Sequence, residues 1–327
     1  MTNILLVGAG ESGTKLARAL VGLGRAQQLT ISDADFDRAR LLGSTMQALA
    51  VPMPHALRIQ PYDLIILATP PTETVSLMHQ LLPTSSVILV EKPGALDPHD
   101  VRTWLRLSPP QRVFVAFQTH FTAKSRLIID NPDLTTQRAC FRIGLQWRRD
   151  PPYFMGWRGD RALAGGILHQ HVIHSLAMAL RSIPTDDQTT KIVAATWRLR
   201  GGKTVEDDLR ANIRFTSGRV IEIEATIAAP TQGEHSLKVN GDQARFRVSG
   251  ENLEAGVQRY RPTSHHWTPP SPRSKDELRE RMIASVLRFV ETGELDVRLY
   301  DVERLPRVLS LIADIYAVAR HHDNYNN

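Results

Sequence analysis

A short apolar run followed at once by a glycine-rich turn constrains the fold of this chain more than any other sequence feature. Ile4–Val7 is continuously apolar, as a strand that is buried on both faces must be. Residues 8–13 read GAGESG, with glycine at the first, third and sixth positions, and residues 14–23 form a helical stretch. A strand, a glycine turn and a helix in this order predict the start of a βαβ unit.

The first 116 residues repeat this alternation of strand and helix. Further buried runs occur at residues 29–32, 64–68, 87–90 and 113–116, with helical stretches between them that include residues 36–49 and 97–107. Strands that alternate with helices imply parallel pairing and right-handed crossovers. The pattern therefore predicts an α/β fold that begins with a doubly wound parallel Rossmann sheet, which we assign to residues 1–120.

The pattern changes to a period of two after about residue 135. Apolar and polar residues alternate over residues 141–147, and similar runs cover residues 192–200, 209–216 and 219–227. Asn240-Gly241 lies between two short apolar runs and predicts a hairpin. We expect one open, mostly antiparallel sheet in an α+β domain over residues 121–327.

Two helices are predicted to close the chain. Ser274 and Glu277 form a capping box for a helix that runs to residue 290. An apolar stripe between Val302 and Ala319 predicts the last helix. The proline-rich stretch 262–272, which precedes the first of these helices, reads as a loop.

The composition narrows the function classes. A length of 327 residues favours about two domains, and 42% hydrophobic with 23% charged residues is ordinary for a globular protein. The net charge of +6 is spread along the chain without a basic tract, which favours an anionic small ligand over nucleic acid. A single cysteine, no membrane-length apolar run and a first strand that starts near Asn3 predict a cytoplasmic protein without membrane contact.

Residues 8–13 form a complete G-x-G-x-x-G motif. Gly8 permits a tight turn, Gly10 lets the backbone approach a pyrophosphate, and Gly13 lets the helix pack against the strand. Phosphates would then lie at the helix N-terminus, whose free N–H groups attract anions. Asp33 ends the second strand 20 residues beyond Gly13, where a ribose-binding carboxylate belongs. We expect a dinucleotide site; the alternative is a glycine turn followed by a helix-capping aspartate.

Asp33 also bears on which dinucleotide binds. Its carboxylate can accept hydrogen bonds from ribose hydroxyls and would repel a 2′-phosphate, so we expect NAD rather than NADP. Arg38 leaves another interpretation open, because an arginine just past this strand could pair with a 2′-phosphate. It could also cover the adenine or simply be solvated.

Two further segments carry groups that can move a proton. Glu91-Lys92-Pro93 follows a buried strand at the carboxyl end of the sheet, where ligands of such folds bind. Gln170 and His174 are four residues apart and would share one face of a helix. A lysine near a nicotinamide and a histidine facing it would supply the proton transfer that accompanies hydride transfer. The alternatives are a surface lysine and a core histidine.

At these residues the chain resembles the glucose–fructose oxidoreductase, inositol dehydrogenase and rhizopine-catabolism family (Gfo/Idh/MocA). The likeness spans nearly the whole chain and rests on the glycine motif, Thr69-Pro70-Pro71, Glu91-Lys92-Pro93, Trp157-Arg158-Gly159 and Gly165-Gly166 with His174 downstream. The resemblance implies that Lys92 hydrogen-bonds the reacting substrate oxygen and that His174 assists as acid or base. With the motif, it points to these cofactor-binding residues: Gly8, Gly10, Glu11, Ser12, Gly13, Asp33, Arg38, Thr69, Pro70 and Glu91.

The chain departs from the family pattern around His174. Family dehydrogenases often carry an aspartate at the position of Gln170 and another acid at the position of Ala177. Some relatives that act on nucleotide-linked sugars have an amide at the first position. Gln170 can orient a hydroxyl but cannot take its proton, so proton transfer would rest on Lys92 and His174.

The expected substrate contacts are Arg158, Gln170 and His171. Arg158 could bind an acidic substrate group or be a salt-bridged residue of the sheet. Neighbouring aromatic residues could line a pocket or simply pack a loop: Tyr153, Phe154 and Trp157. No metal is expected, because His169 and His171 lie on different helix faces without a carboxylate or thiolate, and the pair His265-His266 adds none.

The favoured hypothesis is an NAD(H)-dependent oxidoreductase that interconverts a secondary alcohol and a ketone on a sugar, amino sugar or cyclitol. The resemblance implies a homodimer or homotetramer formed by paired sheets, with a small molecule as the substrate. Two alternatives stay open. One is reduction of a C=N or conjugated C=C bond in a metabolite, and the other is a non-catalytic regulator that senses a dinucleotide.

Overall fold

The computed structural model describes residues 2–53, 55–58, 61–107, 112–122, 125–130, 138–240, 245–249 and 275–323. They form two compact units, and the first contains the described residues up to Phe121 together with residues 275–306. The second contains the described residues from Thr122 to 249 and those after Pro306. This division differs from the expected one, because residues 275–306 follow the second sheet in sequence and yet pack in the first unit.

A seven-stranded sheet forms the centre of the first unit. Six strands are parallel in the order β3-β2-β1-β4-β5-β6, and a seventh, β13, pairs antiparallel with β6. Their bounds are β1 (Ile4–Val7), β2 (Leu29–Ser32), β3 (Leu49–Ala50), β4 (Leu64–Leu67), β5 (Val87–Glu91), β6 (Val113–Ala116) and β13 (Tyr300–Asp301). This confirms the predicted doubly wound parallel sheet.

Five helices accompany this sheet: α1 (Glu11–Gly22), α2 (Phe36–Met46), α3 (Pro71–Leu81), α4 (Pro98–Leu107) and α8 (Lys275–Thr292). Leu16 and Leu20 of α1 and Ile283 and Val286 of α8 belong to one buried cluster with Leu6 of β1. Burying each such side chain contributes about 1.5–3 kcal/mol, which holds α8 in this unit.

The prediction for residues 36–49 was wrong at its C-terminal end. Gln47 has a φ of 54°, in the left-handed region, and ends α2 at Met46. Leu49 and Ala50 then pair with β2 as the edge strand β3. A strand of two residues is too short to show any period, so the sequence pattern could not reveal it.

The second unit is built on another seven-stranded sheet, in the order β12-β11-β7-β10-β9-β8-β14. The bounds are β7 (Cys140–Gln146), β8 (Thr189–Arg198), β9 (Asp208–Phe215), β10 (Val220–Thr226), β11 (His235–Asn240), β12 (Arg245–Ser249) and β14 (Arg320–Asp323). Among the described strands of this sheet, only β7 with β10 and β8 with β14 pair in parallel. The predicted mostly antiparallel sheet is therefore confirmed.

The remaining helices are α5 (Ser125–Asp130), α6 (Arg161–Ala164), α7 (Ile173–Arg181) and α9 (Leu305–Val318). A π-helical segment, Leu168–Val172, leads directly into α7. The hairpin predicted at Asn240 is confirmed by the pairing of Asn240 with Arg245. Gly241, Ser274 and the predicted loop 262–272 lie outside the described residues. In the described part of the chain, no helix has both the length and the apolar character to span a membrane.

A half-buried polar turn after α8 gives a prediction about stability and pH. Burial by itself would raise the pKa of Asp296, but hydrogen bonds from Arg298 and from Ser285 of α8 outweigh it and lower the pKa from 3.8 to about 2. A carboxylate with a lowered folded-state pKa stabilises the protein above its unfolded pKa and loses that contribution as pH falls through the folded pKa.

We therefore expect Asp296→Asn to lower the free energy of unfolding by about 1–2 kcal/mol at pH 7, after allowance for partial exposure. The difference in free energy of unfolding between the unmodified protein and Asp296→Asn should shrink as pH falls from about 4 towards about 2. Urea denaturation at several pH values measures it, with the exposed Glu294→Gln as the control. A gap that stays constant with pH would show that Asp296 acts through packing alone.

Candidate active site

The glycine-rich turn lies at the carboxyl end of β1, in the middle of the parallel sheet of the first unit. Gly8 has a φ of 103°, and a Cβ on Gly13 would lie 1.8 Å from the Gly8 carbonyl oxygen. Glycine is thus required at both positions by the protein itself, as the motif predicts. A Cβ on Gly10, in contrast, would meet no atom within 4 Å. The space beside Gly10 fits an approaching pyrophosphate.

The first turn of α1 follows this space. Gly10 is the N-cap residue of α1 and makes no side-chain cap hydrogen bond. Glu11 is exposed and pairs with Lys15 one turn later, while Ser12 is half-buried. Free N–H groups and the helix dipole favour an anion at this position.

Asp33 follows β2 and is hydrogen-bonded to the glycine turn. Its Oδ2 accepts the Ala9 N–H at 2.6 Å, and its Oδ1 accepts the Asp35 N–H at 2.8 Å. A carboxylate offers about four acceptor sites, so both oxygens can still accept ribose hydroxyls. The bond to Ala9 thus fixes the carboxylate beside the turn on which phosphates would rest.

Three aspartates follow β2, and Asp33 is the one that does not pair with an arginine of residues 33–40. Arg38 pairs with Asp35 at 3.1 Å and Arg40 pairs with Asp37 at 3.1 Å, all four with exposed side chains. Three aspartates against two arginines leave a net charge of −1 over residues 33–40. Arg38 is therefore engaged on the surface in this structure, although it remains close in sequence to the predicted ribose site.

The neighbouring strands supply the other predicted cofactor residues. Thr69 follows β4, and its Oγ1 lies 2.8 Å from the Thr74 Oγ1 in α3. Pro70 is the N-cap residue of α3. Because β4 is the neighbour of β1, these residues end at the same sheet edge as the glycine turn, at the point where the strand order reverses. Ligands of doubly wound folds bind at such a point.

Glu91 and Lys92 lie at the end of β5, and both are half-buried. The Lys92–Pro93 peptide bond is cis. Burial raises the pKa of Glu91, whereas the charges of Lys92, Arg279 and Lys15 act in the opposite direction. This end of the sheet therefore combines a buried carboxyl group with cations, a suitable environment for an anionic ligand and for proton transfer.

The second unit holds the other predicted catalytic segment. The assumption that Gln170 and His174 share a regular α-helix was wrong, because residues 168–172 form a π-helical segment and α7 begins only at Ile173. A π-helix pairs residues i and i+5, which changes the faces that side chains present. Such segments occur frequently at functional sites. Gln170 and His174 are both buried.

Hydrogen bonds hold the Gln170 amide in place. Its Nε2 donates to the carbonyl oxygens of Arg158 and Gly165, each at 3.1 Å, and its Oε1 accepts the Tyr153 hydroxyl at 3.2 Å. An aspartate could not make the two donations, because a carboxylate has no N–H groups. The amide at this position therefore has a structural role in this chain. Ala177, the other departure from the family pattern, is fully buried.

The histidines of this segment face different neighbours. The His169 ring stacks on Tyr316, whereas the His171 ring lies 5.2 Å from Trp147 and 5.7 Å from Tyr153. Over the described residues, no group of three or more histidine, cysteine or acidic side chains could hold a metal ion. His265 and His266 lie outside the described residues.

Arg158 lies in a 3₁₀ turn, Gly156–Gly159, and not in the sheet. Its Cζ atom is 5.4 Å from the centre of the Tyr153 ring and 4.8 Å from that of Trp157. The Cζ atom of Arg149 lies 5.1 Å from the centre of the same Tyr153 ring. No sequence pattern marked Arg149 as a site residue. The structure thus gathers both arginines around one tyrosine, and that tyrosine hydrogen-bonds Gln170.

A buried glutamate, Glu206, anchors the start of this segment, and the sequence patterns did not predict it. Glu206 Oε1 accepts the Ile167 N–H at 2.7 Å and the Tyr316 hydroxyl at 2.5 Å. The Tyr316 oxygen in turn accepts the Leu168 N–H at 3.2 Å. Burial raises the pKa of Tyr316 well above its usual range, and the Glu206 charge adds to this, so the hydroxyl stays protonated. No local pattern marks such a residue, since its partners are distant in sequence.

Two family models match parts of the sequence. The C-terminal model of the Gfo/Idh/MocA family, described as the oxidoreductase family C-terminal alpha/beta domain, matches residues 144–303. A model described as NADP oxidoreductase coenzyme F420-dependent matches residues 3–91. No curated protein matches the chain in sequence.

Solved structures share the fold over nearly the whole chain. A myo-inositol dehydrogenase from Corynebacterium glutamicum is 19% identical with a TM-score of 0.73, and the match covers 98% of this chain and 97% of that one. The WlbA dehydrogenase from Bordetella pertussis, in complex with NADH and UDP-GlcNAcA, is 19% identical with a TM-score of 0.77, covering 97% and 96%. The UDP-N-acetylglucosamine 3-dehydrogenase GnnA from Acidithiobacillus ferrooxidans is 13% identical with a TM-score of 0.73, covering 97% of each chain.

A Rossmann unit with a complete glycine motif and a second unit on an open sheet define the class of two-domain oxidoreductases. Within this class, the chain is similar over residues 144–303 to the C-terminal domain of the Gfo/Idh/MocA family of oxidoreductases.

Proposed function

We propose that this protein is an NAD(H)-dependent dehydrogenase that interconverts a secondary alcohol and a ketone on a sugar, amino sugar or cyclitol. One observation carries the proposal. The first unit places the turn of residues 8–13 and the segment Glu91-Lys92-Pro93 at the carboxyl ends of two strands, β1 and β5, of one parallel sheet. A dinucleotide cradle and a proton-carrying lysine thus share one sheet edge.

The residues of the first unit suit a dinucleotide. The backbone from Gly10 to Gly13 would hold the pyrophosphate, Asp33 would accept the adenosine ribose hydroxyls, and Thr69 and Pro70 would line the neighbouring strand end. When bound, NAD(H) supplies or accepts the hydride. Lys92 hydrogen-bonds the substrate oxygen and moves its proton, and His174 assists as acid or base. Burial raises the pKa of Glu91, and the positive charge of Lys92 opposes this rise, so the two neighbouring groups interact electrostatically.

Several relatives of similar fold act on sugars or cyclitols, as their names state: a myo-inositol dehydrogenase and a UDP-N-acetylglucosamine 3-dehydrogenase. These structural similarities and the match of residues 144–303 to the Gfo/Idh/MocA C-terminal model support a sugar-like substrate here. Gln170, His171 and Arg158 are the residues of the second unit that we assign to substrate binding.

Reduction of a C=N or conjugated C=C bond is the second candidate function. It is favoured by one observation: Gln170 and Ala177 provide no carboxylate, and the Gln170 amide is held by Tyr153, Arg158 and Gly165. A screen of sugars, cyclitols, nucleotide sugars, imines and enones, followed by NADH absorbance in both directions, separates the two candidates. Turnover with any alcohol supports the dehydrogenase, and turnover only with imines or enones supports the reductase. No turnover with the whole panel would favour a dinucleotide-sensing regulator.

We also propose a homodimer or homotetramer that forms through the exposed face of the second sheet. Charged side chains alternate along this face, and they form cross-strand pairs of Arg142 with Glu222 and of Arg210 with Glu224. Val193 on the same sheet is 58% exposed. Light scattering of the purified protein measures the oligomeric state, and a monomer would contradict this proposal.

We expect NADH to bind at least about tenfold more tightly than NADPH, because a 2′-phosphate would add negative charge beside Asp33. Titration calorimetry with both dinucleotides measures the difference. Asp33→Ser should reduce it, whereas Asp37→Ser, at an exposed carboxylate that pairs with Arg40, should leave it unchanged. Equal or tighter binding of NADPH by the unmodified protein would mean that Arg38 dominates the ribose site. The family model that matches residues 3–91 is described as an NADP oxidoreductase, so both dinucleotides must be compared.

A further inference from the structure

We infer that the second unit contains an anion-binding site, formed by Arg149 and Arg158 around Tyr153, that takes a carboxylate or phosphate group of the substrate. This inference rests on the proposed function and deepens it. It assigns the substrate to negatively charged sugar derivatives rather than to neutral sugars or cyclitols.

Arg149 is the first reason. Its side chain forms no salt bridge with any carboxylate in the described part of the chain, and its Nε is buried without a hydrogen-bond partner there. The guanidinium lies 4.4 Å from the centre of the Trp147 ring and 5.1 Å from that of Tyr153. Its one hydrogen bond, to the Arg148 carbonyl oxygen, is long at 3.5 Å. A charged side chain held in this way retains donors for an anion.

The neighbouring cations differ from Arg149, because each has a carboxylate. Arg148 pairs with Asp150 at 2.9 Å, and Arg200 and Lys203 both pair with the buried Asp207. The chain therefore neutralises the charges on either side of Arg149. Among the residues that the structure describes, the acidic groups of this region pair with these other cations and none pairs with Arg149.

The Arg149 backbone is fixed, which gives the guanidinium a defined position. Its N–H donates to the Ile227 carbonyl oxygen at 2.9 Å, and its own carbonyl oxygen accepts from Arg200 at 2.5 Å. Binding a ligand with a preordered side chain costs less conformational entropy than binding it with a mobile one.

Arg158 brings a second positive charge to the same ring. Its Cζ lies 5.4 Å from the Tyr153 ring centre, against 5.1 Å for Arg149, so the two Cζ atoms are at most about 10.5 Å apart, the sum of these two distances. A guanidinium that lies on an aromatic ring can still donate to a carboxylate or phosphate in its own plane.

The position of Tyr153 connects this pair to the proposed substrate residues. Its hydroxyl donates to Gln170 Oε1 at 3.2 Å, and its ring lies 5.7 Å from the His171 ring. The Gln170 amide in turn donates to the Arg158 carbonyl oxygen. A sugar that contacts Gln170 and His171 would therefore place a charged substituent within reach of the arginines.

The test is calorimetric titration of NADH-loaded protein with matched probes. These are glucose, glucuronate and glucose 1-phosphate, then N-acetylglucosamine, its 1-phosphate and UDP-N-acetylglucosamine. We expect at least one anionic probe to bind tenfold or more tightly than its neutral parent. Tighter binding of glucuronate indicates a carboxylate substrate, and tighter binding of the phosphates indicates a phosphorylated or nucleotide-linked one.

Single substitutions assign the effect to the site. Arg149→Met and Arg158→Met should each weaken the best anionic probe about 10- to 100-fold, as loss of charge-assisted hydrogen bonds predicts, and Arg149→Met should leave the binding of neutral probes unchanged. Arg148→Met is the matched control, because that neighbouring arginine is exposed and pairs with Asp150. Arg149→Lys, which keeps the charge, should retain part of the affinity. Melting temperatures check that each variant folds.

The outcomes separate this inference from the proposed function. If anionic probes bind through Arg149 but no substrate turns over, the site stands and the dehydrogenase proposal fails. If no anionic probe binds more tightly than its neutral parent, or if Arg149→Met and Arg148→Met behave alike, the inference is overturned, even where neutral sugars are oxidised.

Discussion

Replacing Lys92 with methionine is expected to lower turnover about 10²–10⁴-fold, the usual loss when a general acid or base is removed. A proton must leave the substrate oxygen as hydride leaves carbon, and we assign that proton to the Lys92 amine at the end of β5. Methionine keeps most of the side-chain volume and deletes the ammonium group. The affinity for NADH should therefore change little, because the dinucleotide contacts proposed here lie on the glycine turn and Asp33.

Steady-state kinetics and calorimetry together measure this prediction. Lys191→Met, at an exposed lysine of β8, is the matched control and should leave both quantities unchanged. Near-normal turnover in Lys92→Met would mean that Lys92 is structural and that His174 acts alone. Loss of NADH binding would instead make Lys92 a ligand of the cofactor.

Glu206→Ala is expected to lower the free energy of unfolding by about 3 kcal/mol. The side chain is 1% exposed and accepts hydrogen bonds from the Ile167 N–H and the Tyr316 hydroxyl. Its removal leaves two buried donors without their acceptor, and each unsatisfied buried group costs about 1–3 kcal/mol. Urea denaturation measures the loss.

Two milder variants test the same network. Glu206→Gln keeps an acceptor and should lose less stability than Glu206→Ala. Tyr316→Phe removes the hydroxyl that donates to Glu206 and accepts the Leu168 N–H, so it should cost about 1–2 kcal/mol. The effects of Glu206→Ala and Tyr316→Phe should not add, because the two residues share one hydrogen bond. Additive effects would show that the network is not coupled.

The first unit was the more predictable part of the chain because its information is local. Ile4–Val7 and Leu64–Leu67 are continuous apolar runs, which only strands buried on both faces need. The glycine motif is equally local, since Gly8 and Gly13 are required by contacts within one turn. The alternation of buried and exposed residues along β7 likewise predicted a sheet with one open face.

Short strands and irregular helices were not predictable from local patterns. β3 and β13 contain two residues each, and β14 reads Arg-His-His-Asp with all four residues exposed. β14 is held in the sheet by specific side-chain contacts, including the bidentate pair of Arg198 with Asp323 and the stacking of Trp197 on His322. The π-helical segment before α7 spans only five residues, Leu168–Val172, which is too short for a period to distinguish it from an α-helix.

The sequence by itself determined the two sheet types, the glycine turn with Asp33, and the candidates Lys92 and His174, because spacing and burial period are properties of neighbouring residues. Only the tertiary structure decided that α8 packs with the first sheet, that Glu206 anchors the segment from Ile167, and that Arg149, Arg158 and Gln170 surround Tyr153. Those contacts join residues far apart in sequence: Leu6 of β1 and Ile283 of α8, in one buried cluster, are 277 positions apart, and Ile167 and Glu206 are 39 positions apart. Their partners are selected by packing and by the need to satisfy buried polar groups, which no local period encodes.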